Sequence, residues 1–265
     1  MTSETDIENL VMVDFDDRGR DGRIARVTFN NPQKRNALGV GGKQRFINVM
    51  TELRHDESLR ALVITGAGEQ SFVGGSNLAD MAHYKPADGH AASTKTHYAC
   101  DAVRTFPVPV IARINGYCFG SGMEIAAAAD MRVAADHAKF GMPEVRVGLP
   151  SVIEAVLLPH LVGWGRTRWL LMTGEMIDAK TAHDWGFVEF LTTPDELDAL
   201  LDRSVQAIVA SGPHAIRTQK MLVRSWERLE PAEAIAETIP IFGDSFETGE
   251  PQEMLGGFLA GKAKG

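Results

Sequence analysis

Residues 108–134 read VPVIARINGYCFGSGMEIAAAADMRVA and contain a helix pattern between two strand patterns. Val108–Ile114 and Met131–Ala134 are short, mostly apolar runs, as is typical of buried strands. Between them, Met123–Ala129 is almost wholly apolar and follows a glycine-bearing turn, which indicates a buried helix. A strand, a helix and a strand in this order predict a βαβ unit with a right-handed crossover, and therefore an α/β fold.

The residues before this unit continue the same alternation. Ile24–Phe29 and Leu62–Thr65 predict strands, and the apolar spacing within Gly42–Leu53 predicts a helix between them. Residues 82–96 are polar and lack an apolar period, so we expect a loop that covers a site.

The residues after Thr193 have a different pattern, in which strand signals are absent. Leu197–Ile208, His214–Arg228 and Pro231–Ile239 carry helical patterns separated by proline or glycine. We therefore predict an α/β core over residues 1–193 and a helical region over residues 194–265.

Composition and charge exclude several classes of protein. The chain has 265 residues, 44 % hydrophobic and 23 % charged residues, and a net charge of −8. This mixture is globular, and the acidic balance disfavours nucleic acid as a partner. No apolar run is long enough to span a membrane, and the first residues lack the pattern of a secretion signal. Two cysteines make no disulfide framework, which favours the cytoplasm, and the eight histidines show no metal-ligand spacing.

Two glycine-bearing turns are candidates for an oxyanion hole. Phe72–Leu78 and Asn115–Gly122 each follow a buried-strand pattern and lead toward a helix. Backbone N–H groups at such places point outward without partners, so two converging turns would present two donors to one oxygen atom. The alternative is that the glycines only turn the chain. Ser121 lacks the spacing of a nucleophile elbow.

Two glutamates stand in apolar surroundings. Glu124 lies within the apolar helix pattern, and Glu144 follows a short strand pattern. Carboxylates are rarely buried unless they are paired or functional, and two of them with different pKa values can divide acid and base work. The alternative is a structural ion pair with Arg132 or Arg146.

These motifs, together with others along nearly the whole chain, resemble the crotonase (enoyl-CoA hydratase/isomerase) family. The segments that carry the resemblance are Phe29–Leu38, Phe72–Met81, Ile114–Glu144, Thr173–Glu175, Ile177–Ala179, Trp185–Val188 and Phe258–Lys262. The resemblance implies a core of repeated ββα turns with a C-terminal helical region. It also implies an acyl-CoA substrate, no metal or redox cofactor, and a homotrimer or a dimer of trimers in which residues 194–265 form the trimerisation region.

The resemblance also implies roles for individual residues. Backbone N–H groups of Ser76 and Ser121, where the family usually has alanine and glycine, would hold the thioester oxygen. Glu124 and Glu144 match the two catalytic glutamates of hydratases, with Glu124 mainly the base toward water and Glu144 mainly the acid toward the α-carbon. The residues that match coenzyme A contacts are Lys34, Arg35, Ala37, Leu38, Asn77 (usually aspartate), Leu78, Phe258 and Lys262.

One segment departs from the family. Ser151–Val156 stands where a glycine-rich segment is common, and it adds a third carboxylate, Glu154, which is expected to border the acyl pocket. Glu154 would either pair with Arg166 or Arg168 or face the acyl chain. The main hypothesis is syn addition of water to a 2-enoyl-CoA thioester. The alternatives are isomerisation or dehydration of a polar acyl-CoA on the same scaffold, and a non-catalytic binding protein.

Overall fold

The computed structural model describes residues 7–262, except for the side chains of residues 20, 261 and 262. Its strands are β1 (Val11–Asp17), β2 (Arg23–Phe29), β3 (Leu59–Gly66), β4 (Ser71–Val73), β5 (Val110–Ile114), β6 (Tyr117–Phe119), β7 (Met131–Ala135), β8 (Lys139–Gly141), β9 (Met176–Asp178) and β10 (Phe190–Thr192). Its α-helices are α1 (Val40–Leu53), α2 (Leu78–Met81), α3 (Pro86–Arg104), α4 (Ser121–Ala128), α5 (Leu158–Val162), α6 (Trp164–Thr173), α7 (Ala179–Asp184), α8 (Leu197–Val209), α9 (Pro213–Trp226), α10 (Pro231–Asp244) and α11 (Glu250–Lys262).

The strands form two sheets that the chain visits in turn. Six strands lie in the order β1-β2-β3-β5-β7-β10, and four lie in the order β4-β6-β8-β9. The strands of the larger sheet are parallel except for β1, which pairs antiparallel with β2. Each of β3, β5 and β7 is followed by a short strand of the smaller sheet, and the first two pairs lead on to helices. The predicted α/β fold of repeated ββα turns is therefore confirmed.

The larger sheet is covered on both faces. Residues that alternate along a strand point to opposite faces, and on β3 Leu62 and Ile64 join one core cluster while Ala61 and Val63 join another. The first cluster includes the buried faces of α1, α3 and α4. In the second, Ile111 and Val133 of the sheet pack with α8. Burial on both faces explains why the strand patterns are continuous apolar runs rather than alternations.

The C-terminal part of the chain is helical, and the predicted boundary between residues 193 and 194 stays a prediction. The last described strand ends at Thr192, and every described element beyond it is a helix. The first of these, α8, contributes Leu201 and Val205 to the core of the sheet, so the two parts share one hydrophobic core. The trimerisation role of residues 194–265 stays a prediction.

The prediction of a loop over residues 82–96 is wrong, because α3 occupies most of this segment. Pro86 stands in its first turn, and the Asp88 carboxylate accepts a hydrogen bond of 2.9 Å from the Lys85 N–H. The buried face of α3 is made of Thr96, Ala99, Cys100 and Val103. Small side chains of this kind give no apolar period of large residues, so the sequence pattern did not predict this helix.

Between residues 7 and 262, none of the helices combines the length and the hydropathy needed to cross a membrane.

Candidate active site

The two glycine-bearing turns meet in the structure. Ser76 pairs with Leu38 in a short parallel bridge, and Ser121 is the first residue of α4. A Cβ atom placed on Gly120 would lie 3.9 Å from the Cα atom of Gly75, so the turns are in direct contact. The φ angle is 108° at Gly75 and 52° at Gly120, and residues other than glycine rarely adopt such positive values.

The backbone N–H groups of Ser76 and Ser121 have no acceptor among residues 7–262. Donors at the start of a helix lack intrahelical partners, and the helix dipole adds positive potential there. The hydroxyl oxygens of the same two serines lie 3.4 Å apart. The arrangement can therefore offer two adjacent backbone donors to one oxygen atom, and the oxyanion hole stays a prediction.

Buried asparagines hold the turns in place. The Asn36 side chain donates to the carbonyl oxygens of Ser71 and Ala67, at 2.8 and 3.1 Å. The Asn115 side chain donates to the carbonyl oxygen of Gly66 at 2.8 Å. These bonds tie the ends of β3 and β5 to the turns and satisfy polar groups that would otherwise be buried without partners.

Both predicted glutamates lie beside these turns. Glu124 is on α4 and is 6 % exposed, whereas Glu144 follows β8 and is half-buried. A Cβ atom on Gly120 would lie 2.6 Å from Oε1 of Glu144, so this carboxylate contacts the turn that precedes Ser121. Ser151 donates a hydrogen bond of 2.7 Å to the other carboxylate oxygen of Glu144. The sequence did not predict a role for Ser151. The only signal was its place in the segment Ser151–Val156, which departs from the family.

The structural alternative for the glutamates is wrong. Arg132 forms an ion pair with Glu189, and Arg146 forms one with Glu175 at 2.5 Å. Burial, followed by the negative charges of Glu144 and Glu154, raises the pKa of Glu124 to about 8, while the Lys43 ammonium lowers it. Glu124 therefore holds a proton at neutral pH.

Glu154 is buried, but its partner is not the one predicted. Its Oε1 lies 2.7 Å from Nδ1 of His97 on α3, and its Oε2 has no hydrogen-bond partner within the described residues. Arg166 instead donates to the carbonyl oxygen of Trp185, and Arg168 lies over the Trp164 ring. The expected pairing with Arg166 or Arg168 is therefore wrong. Glu154 lies near enough to Glu124 for its charge to raise the pKa of that group.

Lys43 is a further charged group at the site, and the sequence analysis missed it. It lies on α1, is 4 % exposed, and places its ammonium 3.0 Å from the Ser76 hydroxyl. The available signal was its position, three residues before Phe46 and seven before Met50, on the buried stripe of the helix. A lysine there requires polar partners in the core.

The residues expected to contact coenzyme A fall into two groups. Leu38 is buried against Ser76, and Ala37 is half-buried, whereas Lys34, Arg35 and Leu78 are exposed beside it. The Asn77 side chain accepts a hydrogen bond of 3.1 Å from the Ala79 N–H and caps α2. Phe258 and Lys262 lie apart from this group on α11, which packs mainly against residues 245–248. The side chain of Lys262 lies outside the described residues.

Across residues 7–262, the His, Cys, Asp and Glu side chains form no group of three able to hold a metal ion.

Comparison with known proteins shows the family of the chain. A model of the enoyl-CoA hydratase/isomerase family matches residues 19–263. The chain is 30 % identical over 241 residues to the short-chain-enoyl-CoA hydratase of Clostridium acetobutylicum, covering 91 % of this chain and 92 % of that protein. It is 33 % identical over 222 residues to the carnitinyl-CoA dehydratase of Escherichia coli, covering 81 % and 82 %. The crystal structure of enoyl-CoA hydratase from Bacillus anthracis superposes with a TM-score of 0.89 at 26 % identity, covering 95 % of this chain and 96 % of that one.

The chain therefore belongs to the enoyl-CoA hydratase/isomerase family, as its resemblance implied. The prediction of an enzyme of this class with the crotonase fold is confirmed.

Proposed function

We propose that this protein adds water to the double bond of a 2-enoyl-CoA thioester. The observation that carries the proposal is the placement of two carboxyl groups, Glu124 and Glu144, beside the paired N–H donors of Ser76 and Ser121. A hydratase needs one group to take a proton from water and another to give a proton to carbon. Isomerisation needs no water, and one carboxyl group can move the proton between the two carbons.

The reaction begins with the thioester oxygen between the N–H groups of Ser76 and Ser121. Water adds to the β-carbon, and the negative charge that develops on the thioester oxygen is stabilised by these donors. A single such donor typically contributes about 3–4 kcal/mol to the transition state. One glutamate accepts the water proton, and the protonated one delivers its proton to the α-carbon on the same face, which gives syn addition.

One carboxyl group enters this reaction with a proton already present. Burial, together with the charges of Glu144 and Glu154, raises the pKa of Glu124 to about 8, so Glu124 holds a proton at neutral pH. The resemblance implies that Glu124 is mainly the base and Glu144 mainly the acid, whereas a protonated Glu124 favours the reverse division. Variants of each residue test the two divisions.

In this proposal the protein binds the substrate through its coenzyme A part. We infer that Lys34 and Arg35 contact its phosphates, because they are exposed beside the turn that carries Ser76. Leu38, Ala37, Asn77 and Leu78 line the same edge. Phe258 and Lys262 belong to the C-terminal part of the binding site in this proposal.

An assembly of three subunits, or two such trimers, is part of the same proposal, as is a place in the cytoplasm. Its support is the exposed apolar surface of the last helices, where Ile239, Phe242 and Leu259 are 69 %, 73 % and 64 % exposed. Apolar surface of this extent on adjacent helices is typical of an interface.

The test is direct. Purified protein mixed with crotonyl-CoA should remove the absorbance of the conjugated enoyl-thioester as 3-hydroxybutyryl-CoA forms. Formation of 3-butenoyl-CoA without water uptake would instead indicate an isomerase. Turnover in the reverse direction only, with a polar 3-hydroxyacyl-CoA, would indicate a dehydratase, and lack of turnover with every acyl-CoA a binding protein.

A variant of Glu144 tests the role of this carboxyl group. Glu144→Gln keeps the size and hydrogen bonding of the side chain but cannot exchange a proton. We expect it to lower kcat by about 10²–10⁴-fold with little change in KM. A variant that hydrates crotonyl-CoA at the wild-type rate would remove Glu144 from the mechanism.

A further inference from the structure

Lys43 is a buried cation without an ion-pair partner. It occupies the apolar stripe of α1 and is 4 % exposed, and no carboxylate within the described chain lies at ion-pair distance from its ammonium. Lysine is almost never buried in this way unless other groups hold it. The structure therefore requires an explanation of what this charge does.

The Lys43 ammonium is held by two hydroxyl groups. Its Nζ lies 2.7 Å from Oγ1 of Thr96 on α3 and 3.0 Å from Oγ of Ser76. Thr96 uses its own proton to donate to the carbonyl oxygen of Ala92, at 2.9 Å. Thr96 therefore accepts from Lys43, and the ammonium, which can only donate, also donates to Ser76.

A direction of donation follows from this arrangement. Because Ser76 accepts a hydrogen bond from Lys43, its own O–H is free to donate to Oγ of Ser121, 3.4 Å away. Ser121 has no further side-chain partner in the described part of the chain, so its proton remains available. The chain of donors runs from Lys43 through Ser76 to Ser121, and each bond polarises the next.

We propose that Lys43 is a positioning residue of the oxyanion hole. Acting through the hydroxyls of Ser76 and Ser121, it supplies the thioester oxygen with a third donor and with positive potential, in addition to the two backbone N–H groups. This inference rests on the proposed enoyl-CoA chemistry of the site.

The charges around Lys43 support this role. Lys43 faces Glu124 on α4 and the buried thiol of Cys100 on α3. Burial raises the pKa of Glu124 to about 8 and that of Cys100 well above its usual value, so both groups are neutral at pH 7. Burial lowers the pKa of Lys43. A cation with neutral neighbours in a low-dielectric site acts strongly on a nearby oxyanion.

The experiment compares Lys43→Met, Ser76→Ala and the double variant. Methionine fills the space of the lysine stem, and alanine removes only the hydroxyl while it keeps the backbone N–H. We expect each single variant to lower kcat for crotonyl-CoA about tenfold, with KM within about twofold of wild type, since the lost contact acts on the transition state. The double variant should lose no more than either single one, because both break the same chain.

A second measurement does not depend on turnover. Bound cinnamoyl-CoA absorbs at longer wavelength when its thioester carbonyl is polarised, and this shift should be smaller in Lys43→Met and in Ser76→Ala. Lys180→Met is the matched control, because Lys180 is an exposed lysine of α7 whose ion-pair partner among the described residues is Asp184. Its kcat and its spectral shift should equal those of the wild type.

Several outcomes would overturn the proposal. One is a folded Lys43→Met or Ser76→Ala variant with wild-type kcat and wild-type spectral shift. Another is a double variant whose loss equals the product of the single losses. Release of free coenzyme A thiol that needs Ser76 would show a nucleophilic serine with Lys43 as its base instead. If the wild type hydrates no enoyl-CoA and yet shows a spectral shift that needs Lys43, the proposed hydratase function fails while this inference stands.

Discussion

Glu124 and Glu154 are equally buried carboxyl groups with different surroundings. They are 6 % and 4 % exposed, and both lie where α4 packs against the turn at residues 153–157. Glu124 has no arginine or histidine partner in the described chain, and burial raises its pKa to about 8. Oε1 of Glu154 instead lies 2.7 Å from Nδ1 of His97. The first carboxyl group is thus arranged to hold and exchange a proton, whereas the second braces α3 against the turn.

The largest expected effect separates the two residues by activity. Glu124→Gln should lower kcat for crotonyl-CoA by about 10²–10⁴-fold, since the carboxyl group no longer transfers a proton. Glu154→Gln, which keeps the hydrogen bond to His97, should lower kcat less than tenfold. Steady-state kinetics of both variants at pH 7.5 is the measurement. Equal losses would mean that the difference in surroundings has no chemical meaning.

The second effect is a change in stability with pH. Since the pKa of Glu124 is raised from 4.5 to about 8, the folded protein binds more protons than the unfolded chain between these values. The free energy of unfolding therefore falls as pH rises through this window, by at most about 1.4 kcal/mol per pH unit. Glu124→Gln should remove this decrease, so that the variant gains stability relative to wild type as pH rises.

Urea unfolding at pH 5.5, 7 and 8.5 measures this difference. Glu154→Gln provides the comparison, because loss of its negative charge lowers the pKa of Glu124 and moves the decrease to lower pH. Curves for Glu124→Gln and wild type that stay parallel over the whole range would contradict the raised pKa.

The third effect concerns the contact between His97 and Glu154, which holds α3 against the turn at residues 153–157. His97→Leu leaves Glu154 buried with neither oxygen bonded, and should lower the free energy of unfolding by about 1–3 kcal/mol. Adding Glu154→Leu should restore most of the loss, because it removes the unpaired buried carboxyl group. His90→Leu, at an exposed position of the same helix, is the control. If the unfolding midpoint of His97→Leu matched that of this control, the pair would contribute nothing.

The same comparison shows what the sequence could and could not predict. Glu124 and Glu144 were found because a carboxylate among apolar residues is conspicuous, and the strands were found because buried parallel strands are continuous apolar runs. The partner of Glu154 was predicted wrongly because His97 is 57 positions away. His97 lies on α3. This helix buries mainly small residues, and the sequence pattern predicted a loop over its first part.

The burial of Lys43 at the site was not predicted, for a related reason. A lysine in a helix is normally assigned to the solvated face, and only its register with Phe46 and Met50 places it inside. Its partners, Thr96 and Ser76, come from two other parts of the chain. Polar contacts between distant segments depend on tertiary packing, which local patterns do not encode.

The smallest expected effect tests whether Glu154 touches the substrate at all. Its Oε1 is bonded to His97, and its Oε2 is buried without contact with solvent, so neither oxygen is placed to meet a hydroxyl group on the acyl chain. Glu154→Gln should therefore leave the ratio of kcat/KM for crotonyl-CoA and 4-hydroxycrotonyl-CoA within about twofold of wild type. A lost hydrogen bond to the substrate hydroxyl would instead change this ratio by about 1–3 kcal/mol, or roughly 5- to 150-fold. Because both substrates are measured on the same variant, a general loss of activity cancels from the ratio. A change of tenfold or more would place Glu154 in the acyl pocket and make it a determinant of specificity rather than a brace.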